Sequence, residues 1–176
     1  LEAFRRWAHS EDFPERGRID YLDGEIEIAM SPEDLYTHGA VKTSIASELH
    51  RIVAEADRGT VFVDRTRVSS PEAGLSAEPD VVVALDESFD LGRLREIPSV
   101  GGQPGRFIEL EGAPDLVVEI VSDSSTGKDT RRLPPLYARA GVPELWVVDA
   151  RGTDLGFQLK TLENARYVSV KPDADG

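Results

Sequence analysis

Ala113-Pro-Asp-Leu-Val-Val-Glu-Ile-Val-Ser122 places one carboxylate, Glu119, inside an apolar run that reads as a buried strand over Leu116 to Val121. The earlier stretch Ser76-Ala-Glu-Pro-Asp-Val-Val-Val-Ala84 repeats the arrangement, with a Pro-Asp dipeptide leading into a second buried strand from Asp80 to Leu85. Strands of this kind could bring Asp80 and Glu119 to one divalent cation. A carboxylate among Leu, Val and Ile is costly unless it is paired or metal-bound, so Glu119 favours a functional reading. Asp80, taken alone, reads more simply as the start of a strand after Pro79. Asp115 stands in the same Pro-Asp context and by the period of two shares a face with Val117 and Glu119, which makes it a weaker ligand candidate.

Downstream, Ser122 to Asp129 is a polar loop with several helix-capping residues. Leu133, Leu136, Tyr137 and Ala140 predict a helix over Thr130 to Gly141, with Pro134-Pro135 in its first turn and Gly141 as its stop. Glu144 to Asp149 reads as another buried strand, with Trp146 and Tyr137 as core. Leu155 to Val170 reads as a hairpin turning near Glu163-Asn164, and Lys171 to Gly176 as a frayed tail. Upstream, residues 86 to 112 hold five glycines and two prolines without a long apolar period, and predict a loop or mobile excursion. The β-branched run Thr60 to Val68 predicts one strand, and Pro71 to Gly74 a turn. Val41, Ile45, Leu49, Ile52 and Val53 recur at helical spacing after Ser31-Pro32. Ile19, Tyr21, Ile26 and Ile28 flank Asp23-Gly24 as a hairpin, and Leu1, Phe4 and Trp7 mark a short first helix. The expected architecture is α/β (α+β), a mixed sheet with helices on its faces.

The chain has 176 residues, 40% of them hydrophobic, which predicts one domain over residues 1–176. With no cysteine, any metal must take oxygen or histidine ligands. No apolar run approaches the length of a membrane span, and a soluble cytoplasmic protein is expected. The chain begins at Leu1 rather than Met, which leaves a preceding targeting segment open. A net charge of −13 argues against an extended nucleic-acid footprint. A local basic patch from Arg131, Arg132 and Arg139 near Lys128 is compatible with it.

Oxygen ligands on rigid strands with a nearby lysine are what metal-assisted phosphodiester hydrolysis needs. In that chemistry Asp80 and Glu119 are the metal ligands, and Lys128 orients the attacking water or neutralises the phosphate. Glu25 is a third acidic candidate, with Glu27 a weaker choice on the same face. His38 contacts phosphate or transfers a proton. As isolated residues, Lys128 and His38 also read as a solvated loop lysine and a surface histidine.

Five segments together resemble the Uma2 family of restriction-endonuclease-like proteins, a branch of the PD-(D/E)XK nuclease superfamily. They are Tyr21-Leu-Asp-Gly-Glu-Ile26, Met30-Ser-Pro32 followed by His38, Glu78-Pro-Asp80, Ala113 to Ser122, and Leu136-Tyr-Ala-Arg-Ala-Gly-Val-Pro-Glu-Leu-Trp-Val-Val-Asp149. The resemblance implies a restriction endonuclease-like core with flanking hairpins, Mg²⁺ (or Mn²⁺) as cofactor, DNA as partner and a homodimer. Asp80 matches the acid of the Pro-Asp motif and Glu119 the second acid. The superfamily's lysine, two residues after that acid, is Val121 here. Uma2-like sequences supply it four residues beyond the aspartate matching Asp129, where this chain has Leu133. Lys128 is then the substitute, with Arg131 or Arg132 behind it. An inactive descendant acting as a binding or regulatory module is the alternative.

Overall fold

The computed structural model describes residues 1–99 and 103–171. Two six-stranded mixed sheets form, where the sequence predicts one. The first sheet has the order β2 (Glu25–Ala29), β1 (Arg18–Leu22), β5 (Leu75–Ala77), β4 (Arg67–Ser70), β8 (Phe107–Gly112), β7 (Leu94–Pro98). The second has the order β12 (Arg166–Ser169), β11 (Gly156–Glu163), β10 (Glu144–Asp149), β9 (Leu116–Ile120), β6 (Val81–Leu85), β3 (Gly59–Val63). Each contains one parallel pair, β4 with β8 and β9 with β10.

The helices follow their apolar periods. α1 spans Glu2–Ala8, α2 Val41–Ala56, α3 Asp86–Asp90 and α4 Leu133–Ala140. None is long and apolar enough to cross a membrane. α2 buries Leu49 and Val53 against Val81, Val83, Leu116, Val118 and Ile120 on one face of the second sheet. On the opposite face Val117 of β9, with Val121 just beyond its end, packs with Leu133, Leu136 and Tyr137 of α4 and with Leu22 and Leu75 of the first sheet. The second sheet is therefore covered on both sides, which is why β6 and β9 read as unbroken apolar runs.

Turn chemistry places the hairpins. Asp23 and Gly24 both take positive φ, +52° and +96°, and Leu22 pairs with Glu25 across the two-residue turn they form. The last hairpin turns at Asn164-Ala165, one residue later than expected. Three sequence readings need correction. The run Thr60 to Val68 is two strands in different sheets, broken at Asp64-Arg65, both at positive φ. Residues 86 to 112 are no structureless excursion, because they carry α3, β7 and β8. The polarity of β8 hid it: Glu109 and Glu111 are buried in ion pairs with Arg5, which docks α1 on this strand. Finally, the buried side of the long helix runs through Lys42, Leu49 and Val53, while Ile52 is exposed. The expected fraying beyond Lys171 concerns residues 172–176, which lie outside the described residues, as do residues 100–102 of the expected excursion.

Candidate active site at the crossing between the sheets

Pro79-Asp80 is where the chain leaves the first sheet after β5 and enters the second as β6. Proline has no N–H to continue a ladder, so it suits the break between two sheets. β6 pairs antiparallel with β9 in the register Val81↔Val118. One residue further along that register Asp80 stands across from Glu119, and its carboxylate also reaches the first turn of α2, where Lys42 Nζ is 3.8 Å from Oδ1. The two acids singled out in the sequence are thus cross-strand neighbours on one face.

Asp80 is 0% exposed, and its carboxylate is held from three directions. Arg18 Nη2 donates to Oδ1 at 2.7 Å, Ile120 N donates to Oδ2 at 2.8 Å, and His38 Nε2 lies 3.5 Å from Oδ2. Burial alone would raise this acid's pKa, but the His38 contact and the Arg18 charge prevail and hold it well below the usual carboxylate range. Glu119 is 1% exposed and goes the other way. Burial, then the charges of Asp129 and Asp80, push it well above its ordinary value. Tyr137 donates its hydroxyl to Glu119 Oε1 at 2.5 Å, while Oε2 is buried with no hydrogen-bond partner. Tyr137 is core, as read, and also holds the acid.

Lys128 lies in a wide helical turn, Lys128–Arg132, that leads into α4. Its Nζ donates to Asp20 Oδ2 at 2.9 Å, and Asp20 Oδ1 accepts the Glu78 N–H at 3.0 Å. Burial works against the charged ammonium, but the charges of Asp20 and Glu119 outweigh it, so the Lys128 pKa is raised. Next to it Asp129 is pushed up to about 6, first by burial, and its Oδ1 is a further buried atom without a partner.

His38 sits in the wide turn Leu35–Ala40 that precedes α2, capped by Asp34 Oδ1 accepting from Tyr36 N and Thr37 N at 2.9 and 2.7 Å. One turn on, Lys42 Nζ reaches Glu33 Oε2 at 2.8 Å, Asp64 Oδ1 at 2.5 Å and Asp80 Oδ1 at 3.8 Å. Burial lowers the His38 pKa, and Asp80 and Glu33 overturn that, leaving it raised. Glu33, His38 and Asp80 each offer a ligand atom within 4.8 Å of the others, the one group of three metal-ligating residues among the described residues. A cleft of about 400 Å³ opens onto Arg18, Glu33, His38, Glu78 and Lys128.

The structure therefore brings Asp80, Glu119, Lys128 and His38 to one region, and does not bring Glu25 there. Glu25 and Glu27 lie on the outer hairpin strand, receive Arg132 at 2.9 and 2.8 Å, and do not line the cleft. Arg132 and Arg139 do line a separate groove of about 710 Å³ with Lys160 and Arg166, against the single acid Asp23. Arg131 is exposed and is not part of that groove.

Sequence reasoning missed Arg18, Asp20, Glu33, Lys42 and Asp129. A signal existed for Lys42: His38, Lys42, Ile45 and Leu49 recur at four, three and four residues, so two polar residues extend an apolar helical stripe. Asp20 gave little signal, because β1 is buried through Ile19, Asp20 and Leu22 and does not alternate cleanly.

The family model described as "Uma2: Putative restriction endonuclease" matches residues 1–174. A search of curated proteins found no match. Among solved structures, the chain is similar to a crystal structure titled a "putative nuclease belonging to DUF820" from Anabaena variabilis. That match has a TM-score of 0.65 and 18% identity, and covers 89% of this chain and 78% of the other. At that identity the likeness concerns the fold.

Proposed function

The chain belongs to the Uma2 family, and from that premise we propose that it is a metal-dependent DNA endonuclease in which Asp80 and Glu119 hold Mg²⁺ or Mn²⁺ and Lys128 assists. The observation that carries this reading is the buried Glu119 Oε2, an acceptor without a donor, on the carboxylate across from Asp80. A buried polar atom left unpaired is costly, and a hard cation between two carboxylates removes the cost. Carboxylate oxygens are the donors such a hard ion takes. When bound, it would polarise a phosphoryl oxygen and acidify a water.

The chain's own residues divide the remaining work. Glu119 ligates as the carboxylate, a form that its burial and the charges of Asp129 and Asp80 disfavour, so a bound cation would work against its raised pKa. Lys128 keeps its proton and supplies a fixed positive charge at the cleft for a phosphate oxygen. Asp20 positions it. While it ligates no ion, His38, whose pKa Asp80 and Glu33 raise against burial, lines the cleft where it can donate to a phosphate oxygen. In the groove of Arg132, Arg139, Lys160 and Arg166, the first two are paired with Glu25, Glu27 and Asp23, and Lys160 and Arg166 are the charges offered to a phosphate backbone. Homodimerisation, implied by the resemblance, belongs to this proposal, and analytical ultracentrifugation with and without duplex DNA reads it.

One observation favours the alternative, a binding module without catalysis. Val121 and Leu133, the two positions where the resemblance would put a lysine, are both packed in the apolar core. Cleavage of supercoiled plasmid with and without Mg²⁺, with Asp80→Ala as control, decides between the two. Metal-dependent nicking lost in the variant supports the nuclease. No such nicking, or equal nicking by the variant, leaves the binding module.

A further inference from the structure

We propose that Glu33 and His38, with Asp80 orienting the imidazole behind them, ligate a second cation at this cleft, a nitrogen-tolerant divalent ion such as Mn²⁺ in preference to Mg²⁺. This goes beyond the nuclease reading, because it needs neither Glu119 nor cleavage. The three residues offer ligand atoms within 4.8 Å of one another, and Glu33 and His38 line the cleft. His38 is 4% exposed, yet its Nδ1 has no hydrogen-bond partner.

The nearest acceptor to that nitrogen is Glu33 Oε2 at 3.1 Å, an approach that lacks hydrogen-bond geometry. Two ligands at right angles on one ion, with bonds of about 2.1 Å, stand about 3 Å apart, so this spacing is that of neighbouring ligands. On this arrangement Oε2 and Nδ1 ligate. The ring proton then sits on Nε2, which faces Asp80 Oδ2 at 3.5 Å, and the carboxylate fixes the tautomer and closes the site. An imidazole nitrogen among carboxylates suits Mn²⁺ and the later transition ions, whereas Mg²⁺ keeps to oxygen ligands and water.

Without an ion, the negative charge of this corner is met by Lys42 and Arg18. Lys42 Nζ is 2.8 Å from Glu33 Oε2, and Arg18 Nη2 is 3.9 Å from Glu33 Oε1. Lys42 has somewhere else to go, since Asp64 Oδ1 is 2.5 Å from the same nitrogen. An arriving cation takes the place of the ammonium at Glu33, and Lys42 stays paired with Asp64.

The test is electron spin-echo spectroscopy on the full chain loaded with Mn²⁺, which detects a nitrogen ligand directly, together with calorimetry of Mn²⁺ and Mg²⁺. The expected result is ¹⁴N coupling in the wild type and in Glu119→Gln, and none in His38→Gln. Affinity for Mn²⁺ falls about tenfold or more in His38→Gln and Glu33→Gln, with Mg²⁺ affinity nearly unchanged. Glu33 is exposed, so Glu33→Gln carries the affinity comparison even if His38→Gln does not fold. The proposal is overturned if wild-type protein binds no Mn²⁺, binds it without ¹⁴N coupling, or keeps the coupling in His38→Gln. Glu119→Gln separates the two readings, because loss of plasmid cleavage with the ¹⁴N signal intact touches only the nuclease.

Discussion

At one end of the β6/β9 pair Pro79-Asp80 carries the chain from the first sheet into the second, and at the other end Pro114-Asp115 does the same. The two aspartates even make the same cross-strand bond. Asp80 Oδ2 accepts Ile120 N at 2.8 Å, and Asp115 Oδ2 accepts Leu85 N at 2.8 Å. What differs is the company. Asp115 meets the Ser88 hydroxyl and Arg93, its side chain is 15% exposed, and Arg93 also donates to Ser88, so the three close a small network of their own. Asp80 is fully enclosed and faces Glu119, with Arg18, His38 and Lys42 crowded on its other side. A Pro-Asp dipeptide before an apolar strand therefore specifies a sheet crossing with an internal cap. The opposing strand decides whether the cap becomes a site: along the register β9 sets the acid Glu119 across from Asp80, while β6 sets Ala84 across from Asp115.

The contrast can be broken most sharply by isosteric substitution at each end. Asp80→Asn keeps an acceptor for Ile120 N and removes the charge. If the cation supplies several kcal/mol of transition-state stabilisation, metal-dependent plasmid nicking should fall about 10³-fold. Asp115→Asn should leave nicking per folded molecule unchanged within about twofold and cost about 1–2 kcal/mol of stability in urea unfolding. Equal losses of activity at both ends would erase the distinction.

A second contrast is one of sign. Removing an acid from the capped end destabilises, but removing one from the crowded end should stabilise, at the right pH. Asp129 is raised from 3.8 to about 6, so its proton contributes stability that is present in full below about 3.8 and is lost as pH rises through about 6. Asp129→Asn should therefore exceed the wild type by about 2–3 kcal/mol at pH 8. The gain should vanish near pH 4. Urea unfolding at the two pH values reads it, and a variant less stable than wild type at pH 8 would contradict the crowding.

Tyr137→Phe has a smaller expected effect. It removes the one hydrogen bond to Glu119 and leaves both of its oxygens buried without partners, for about 1–2 kcal/mol. Because that bond favours the ionised acid, the pH at which nicking sets in should move upward in this variant. Smallest is Arg93→Ala at the capped end. The Arg93 side chain is 38% exposed, so its pair with Asp115 should be worth less than about 1 kcal/mol.

Why one end was legible and the other was not follows from the same difference. Glu119 stood out because an acid inside an apolar strand is costly and therefore informative, and Asp80 was legible only through its Pro-Asp context before a second apolar strand. β6, β9, β10, α2, α4 and the first hairpin followed from period and turn chemistry. Lys128 was found by proximity in sequence, yet its partner Asp20 is 108 residues away, and no local pattern joins them. Glu25, chosen for its place beside Asp23-Gly24, shares its hairpin with Asp20 but lies on the exposed outer strand β2. β7 and β8 escaped because their buried face carries Glu109 and Glu111, neutralised from α1, so polarity there did not mean exposure.

The central claim is that Asp80 and Glu119 share one cation and Asp115 takes no part. Calorimetric titration of Mg²⁺ into wild type, Asp80→Asn, Glu119→Gln and Asp115→Asn tests it without relying on cleavage. The account predicts equal affinity for wild type and Asp115→Asn, and binding weaker by about tenfold or more in each of the other two. Glu119→Gln binding Mg²⁺ as tightly as the wild type would contradict it.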